Sequence, residues 1–328
     1  MRKNIIEVRD ISKSFVISAK TPGLKGTLRH FFNRKTTEKK VVKNINFEIN
    51  EGEIVGFLGA NGAGKTTILK ILCGLLYPSN GYISVAGSRP FEREASFLEK
   101  ITLIMGQKQQ LIWDIPPIDS FYLNASIYGI EKEEAIKRIK DLSEMLEIDS
   151  ELYLPVRKLS LGQRMKAELL AALIHKPSIL FLDEPTLGLD INAQENLRKF
   201  LQIYNKQTGA TILLTSHYMK DITYLCKRVI CIHEGYITYD GKLEKLLTKL
   251  SPNKEVSIIC KSIKDIENLK KLNLEIKNIN DNQITFTVNK LDFKNTLKEI
   301  LNKFDIEDLH INEPPIDEVI GKILINKK

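Results

Sequence analysis

Apolar positions follow two rhythms along the chain. Short strand-like runs, including NINFEIN (44–50), EIVGFLG (53–59), GYISVAG (81–87), SILFLDE (178–184) and TILLTSH (211–217), alternate with helix-length segments such as KTTILKILCGLL (65–76) and AQENLRKFLQIYN (193–205). That alternation predicts an α/β architecture around a substantially parallel central sheet. Residues 119–148 read as mostly helical and interrupt the rhythm, so they are expected to form a helical insertion. After about residue 250 the pattern changes again. EVSIIC, KSIKDIENLKKL, LEIKNIN, QITFTVN, KNTLKEILNKF and IEDLHIN succeed one another as strand, helix, strand pair, helix and strand, which suggests a small α+β appendage of ferredoxin-like type.

Length agrees with this division, because 328 residues exceed the usual size of one hydrophobic core. With 43% hydrophobic and 27% charged residues the chain has the balance of a globular protein. The net charge of +8 is concentrated near the start: between Lys20 and Lys43 there are eight Lys or Arg against one acid, Glu38. The stretch holding them, SAKTPGLKGTLRHFFNRKTTEKK, is either a solvated loop with a basic face or a contact for anionic lipid headgroups or a partner. Cys73, Cys226, Cys231 and Cys260 lack the spacing of a zinc site or a disulfide framework and read as reduced structural thiols. No run has the roughly 20 apolar residues that span a bilayer, and the first residues lack the apolar core of a signal peptide.

The stretch FLGANGAGKTTILKIL (57–72) carries the chemistry. Gly59, Gly64, Lys65 and Thr66 match the phosphate-loop pattern G-x-x-x-x-G-K-[ST], with a strand candidate before it and a helix candidate after it. The glycines let successive N–H groups curl around phosphate oxygens, and the helix turns its positive end toward the same anion. Residues Gly59, Asn61, Gly62, Ala63, Gly64, Lys65, Thr66 and Thr67 are thus expected to hold a nucleotide, Lys65 at the terminal phosphates and Thr66 on Mg2+. In SILFLDEPT an apolar run ends in two acids, so that Asp183 can hold the metal while Glu184 polarises a water. Ser160 and Gly162 head an amphipathic helix whose N-terminus offers a second anion site.

Taken together these motifs resemble the ATP-binding subunit of ABC transporters over roughly residues 5–245. LSLGQ (159–163) is similar to that family's signature, with Leu161 where glycine is commonest, and Ser160, Gly162 and Gln163 as its nucleotide contacts. The resemblance implies a Q-loop glutamine at Gln107 with a catalytic and metal-binding role, a D-loop aspartate at Asp190, a switch histidine at His217, and Phe15 as the aromatic against adenine. It implies a P-loop NTPase fold with a helical subdomain at about 108–175, an antiparallel β subdomain and a C-terminal α+β appendage. The expected domains are 1–248, with the basic insertion at 16–40, and 249–328.

By the same resemblance the cofactors are ATP and Mg2+, and the partners are a second ATPase subunit and integral membrane permease subunits. GQKQQLIWDIPPIDSFYLNASIYGI (106–130) is worded most like exporters of the ABC-2 type, and Trp113, Tyr122 and Tyr128 offer amphipathic surface to a permease or pack inside the subdomain. The expected location is the cytoplasmic side of the membrane, with no nucleic acid bound. The principal alternative is a soluble ABC ATPase acting on ribosomes or nucleic acid. A small-molecule kinase and a slowly hydrolysing nucleotide-gated scaffold are the others.

Overall fold

Strand β3 (Ile54–Leu58), β6 (Ile179–Asp183) and β7 (Thr211–Thr215) are almost continuously apolar because both faces of each are covered, as expected of strands inside a parallel sheet. In the computed structural model they lie at the centre of a six-stranded sheet. Its other members are β5 (Ile101–Met105), β8 (Arg228–His233) and β9 (Tyr236–Lys242), in the order β5-β6-β7-β3-β8-β9. The first five strands of that order pair in parallel, so their C-terminal ends share one edge of the sheet. Residues 3–18, 36–106, 110–250, 253–261, 274–280 and 282–312, with Leu269 and Leu272, are described.

A second sheet is antiparallel. β1 (Asn4–Ser18) runs between β2 (Thr36–Asn50) and β4 (Asn80–Val85). Ile6, Val8, Ile11, Val42, Ile45 and Ile49 from this sheet share one core with Val55, Phe57 and Phe181 of the parallel sheet. Phe47 meets Phe57 edge to face, 5.7 Å between centroids, where the two layers join. Each such fully buried side chain contributes about 1.5–3 kcal/mol of transfer free energy, which binds the small sheet firmly to the large one.

Helix α1 (Lys65–Leu72) and the short α2 (Ala95–Leu98) come first in the chain. The expected helical insertion is present as α3 (Pro117–Ile127) and α4 (Lys132–Leu146), which pack with α5 (Leu161–Leu173). Prolines at 116 and 117 start α3 where a missing N–H costs nothing. Ala135, Ile139, Leu142 and Leu146 form the buried stripe of α4 at helical spacing.

The chain divides into two compact units, Met1–Gly241 and Lys242–Lys328. Helix Leu243–Leu250 therefore belongs to the second unit, which begins a few residues ahead of the 248/249 junction read from the sequence. In that unit β10 (Asn253–Cys260), β11 (Glu275–Asn280), β12 (Gln283–Asn289) and β13 (Ile306–Asn312) form an antiparallel sheet in the order β11-β12-β10-β13. Ile284, Phe286 and Val288 alternate onto its buried face with Val256, Ile258 and Cys260, and Ile300 of the helix Phe293–Lys303 joins them.

All four cysteines are buried, none in a disulfide among the described residues, and burial pushes the Cys231 thiol up to about 12. They are unreactive packing groups, as expected. Among the described residues no helix is long and apolar enough to cross a membrane. The basic segment 19–35 lies outside the described residues.

Candidate functional site

Register brings the chemistry together. Met105 of β5, Asp183 of β6, Thr215 of β7 and Phe57 of β3 stand in one row across the sheet, so the residues just after them emerge side by side. Ligands of open α/β sheets bind beyond such C-terminal strand ends.

From β3 the chain turns through residues 59–64 into helix α1. Gly62 and Gly64 sit at φ +79° and +113°, backbone that other residues rarely adopt. A Cβ at Gly59 would lie 2.4 Å from the carbonyl oxygen of Ile232. Asn61 and Gly62 are exposed, Ala63 and Gly64 buried, and Thr67 half-buried at the head of the helix. Lys65 is only 6% exposed, and its ammonium donates to the carbonyls of Gly59 (2.7 Å) and Ala60 (3.1 Å). Burial lowers its pKa, opposed by the negative charges of Glu184 and Asp183. A buried cation whose hydrogen bonds among the described residues go to two loop carbonyls is suited to an anionic guest.

Asp183 meets that loop directly. Thr66 Oγ1 donates to its two oxygens at 3.1 and 2.9 Å, and Thr215 Oγ1 donates to Oδ1 at 2.7 Å. The hydroxyl and the carboxylate are hard oxygens that fit Mg2+, an ion that needs few protein ligands when phosphates and water supply the rest. Among the described residues no group of three or more His, Cys, Asp or Glu converges as a softer metal site would require.

Glu184 is next, at φ +54°, an unusual conformation for a side chain-bearing residue. Its N–H is held by Thr215, with the carbonyl and Oγ1 both at 3.1 Å. Its Oε1 lies 2.7 Å from His217 Nε2, and both side chains retain solvent access. The acid is thereby aimed outward from the strand end, beside Asp183 but engaged with a different partner.

The signature residues form their own unit. Ser160 caps α5, accepting from Gln163 N (3.2 Å), while Gln163 Oε1 accepts from Ser160 N (2.9 Å) in a reciprocal capping box. Gln163 also donates to Glu151 at 2.8 Å. Leu161 turns toward Gly188, where its Cδ2 lies 3.0 Å from the place a Cβ would occupy, and Gly162 faces Ala193. Ser160 and Leu161 are exposed, and among the described residues no hydrogen bond joins 160–163 to the phosphate loop. Asp190 is also exposed and caps helix α6 (Ile191–Thr208) by accepting from Ala193 N at 2.9 Å.

Phe15 lies 36% exposed on β1, opposite Lys39, with Lys13 Nζ 5.2 Å from its ring centroid. The same ladder carries Val41, two residues along β2 from the Lys39 that pairs with Phe15, and the Val41 carbonyl approaches Gly64. Gln107 lies outside the described residues, yet the chain on either side is anchored. Gly106 N donates to Asp183 O at 2.9 Å, and Gln110 and Leu111 donate their N–H groups to the Glu168 carboxylate at 2.9–3.1 Å. Tyr128 is a packing residue, stacked on His175 with centroids 3.9 Å apart, whereas Trp113 and Tyr122 remain partly exposed.

Sequence reasoning missed Thr215 and Glu168. Thr215 is one of two hydroxyl residues before His217, and its alternate position relative to the strand face was the available signal. Glu168, an acid on the buried stripe of α5, was another, since a buried carboxylate implies donors. Burial raises its pKa, offset by the Gln110 and Leu111 N–H groups and by Arg164.

A family pattern described as ABC transporter matches residues 42–187. The chain is 37% identical over 215 residues to the ABC transporter ATP-binding protein NatA of Bacillus subtilis (strain 168), covering 66% of this chain and 87% of that protein. It is 34% identical over 218 residues to Nod factor export ATP-binding protein I of Burkholderia thailandensis, covering 65% and 70% respectively. Its fold is similar to that of a dimeric post-hydrolysis state of an ATP-binding cassette bound to ADP and Pi, with TM-score 0.60, 23% identity, and coverage of 73% of this chain and 98% of that one.

Proposed function

This chain belongs to the ABC transporter ATP-binding proteins and is an ATPase, and from that premise we propose that it pairs head to tail with a second ATPase subunit around ATP and drives export through a separate membrane permease. The observation that carries the reading is the 2.7 Å contact of Glu184 with His217, beside the Thr66–Asp183 pair and the buried Lys65. These residues would supply a base, a metal position and a phosphate cation on one sheet edge, and the exposed Ser160 at the capped end of α5 is accessible to a second molecule.

In this mechanism the N–H groups of residues 59–66 and the Lys65 ammonium hold the phosphates. Thr66, Asp183 and Gln107 would hold Mg2+, which neutralises charge on the transferring phosphoryl group. Glu184 orients the attacking water and takes its proton, and His217 fixes the direction of that carboxylate. Ser160 and Gly162 of the partner copy supply the second set of donors, so neither copy is complete alone. Phe15 stacks on adenine, and Asp190 reports across the pair.

Export is supported by the relative whose name states export, and by the exposed Trp113, Tyr122, Leu123 and Ile127 around α3, an amphipathic surface for a permease. The basic stretch between Lys20 and Lys43 adds attraction to anionic headgroups on the cytoplasmic face of the membrane. Affinity purification from gently solubilised membranes, comparing wild type with Glu184→Gln under ATP, tests this. Recovery of a multi-span protein, more stable in the variant, is the expected outcome. Recovery of ribosomes or nucleic acid without a membrane protein would replace transport by the soluble alternative.

A further inference from the structure

Behind the reacting edge lies a buried charged cluster, two of whose bonds reach the segments that carry Glu184 and His217. Asp221, on helix α7 (Met219–Leu225), is 1% exposed, and Arg198, on α6, is 6% exposed. Arg198 Nη1 donates to Asp221 Oδ1 at 2.8 Å. The other carboxylate oxygen accepts two hydroxyls, Thr186 Oγ1 at 2.5 Å and Ser216 Oγ at 2.6 Å. Thr186 stands two residues after Glu184, and Ser216 immediately precedes His217.

A buried ion pair is a weak source of stability, because desolvating both charges offsets most of their attraction. Its geometry gives it another use. Through one oxygen the carboxylate fixes both backbones that carry the reacting pair. Ser216 Oγ in addition accepts from Tyr218 N at 2.9 Å, closing the turn on which His217 sits. On the opposite side Arg198 ties the carboxylate to α6, the helix that Asp190 caps, and Gln194 of α6 donates to Leu189 O at 3.1 Å. The 184–190 loop, the turn at 216–218 and α6 are thus held by a single group.

We propose that the Asp221–Arg198 pair is a positioning unit for ATP hydrolysis, setting the Glu184–His217 contact through Thr186 and Ser216. This rests on the assignment of Glu184 and His217 to the reaction. Asp221 and Arg198 are both buried and, among the described residues, hydrogen-bond to no residue of the phosphate loop, so loss of the pair is expected in turnover and not in binding.

The test measures ATP turnover, KM, ATP-binding stoichiometry and thermal midpoint on the full chain for Asp221→Asn, Arg198→Lys, Arg198→Met, Thr186→Val, Ser216→Ala and Glu184→Gln. Turnover per ATP-binding site is expected to fall about ten-fold in Asp221→Asn with KM little changed. Arg198→Lys retains more turnover than Arg198→Met. Thr186→Val and Ser216→Ala, which remove one hydroxyl each and leave the ion pair, lower turnover alone and add nothing to Asp221→Asn, since all act through one oxygen. Unchanged turnover per site in the two hydroxyl variants, or in Asp221→Asn with only a lower thermal midpoint, would overturn the proposal while loss of activity in Glu184→Gln left the site assignment standing. Full activity in Glu184→Gln would overturn both.

Discussion

Lys65 carries its ammonium into a place from which water is largely excluded, and two carbonyls of its own loop are its hydrogen-bond partners. Such a charge is costly until an anion arrives, so much of its contribution is to binding. Replacing Lys65 by Ala is therefore expected to weaken ATP binding by more than about ten-fold while leaving the denaturant midpoint unchanged or higher. Titration with a fluorescent ATP analogue beside urea unfolding checks both halves. Residue by residue, the gathering of the phosphate loop, Asp183 and Glu184 was legible because each is a short local pattern whose chemistry dictates its spacing, whereas His217 was singled out only through the family resemblance. Thr215, Glu168 and the Arg198–Asp221 pair were not, because the bonds Thr215–Glu184, Glu168–Gln110 and Arg198–Asp221 span 31, 58 and 23 positions, and only strand register and helix packing bring them near.

Among the elements, apolar runs bounded by turns were enough to read the parallel strands and the inserted helices, since burial on both faces or on one stripe leaves a pattern in the sequence. How the helices join the sheet was not readable that way. One joint is His175, just beyond α5, which stacks on Tyr128 at the end of α3 and has Nε2 3.2 Å from Ile101 O of β5. That carbonyl accepts from Nε2–H, leaving the buried Nδ1 without a hydrogen-bond partner among the described residues. Burial lowers the His175 pKa below 6.5, against the Ile101 bond and with help from Arg138. The unfolded chain then binds the proton more readily than the folded one, so stability falls as pH drops from 6.5 through the lowered folded-state value and is recovered above 6.5. His175→Gln keeps an amide donor and does not titrate, and its urea midpoint is expected to vary less over that acid window than wild type. Parallel pH profiles for the two proteins would refute the assignment.

At the scale of the whole molecule, the proposed function makes this site one half of a pair. One edge of the parallel sheet gathers Lys65, Thr66, Asp183, Glu184 and His217, and the capped signature end is exposed and unbonded to that edge within the described residues. A pair of copies related head to tail would bring each signature to the other's phosphates, making nucleotide the link between them. Moving such a pair from mostly open to mostly closed requires a differential of about 5.5 kcal/mol, within reach of two shared ATP molecules held by charge-assisted hydrogen bonds. The most direct measurement is the solution mass of full-length Glu184→Gln by light scattering, with and without ATP and Mg2+. Doubling of the mass on adding both, reversed when the metal is chelated, is the result this account predicts. A single-copy mass at saturating ATP, or a dimer indifferent to nucleotide, would contradict it.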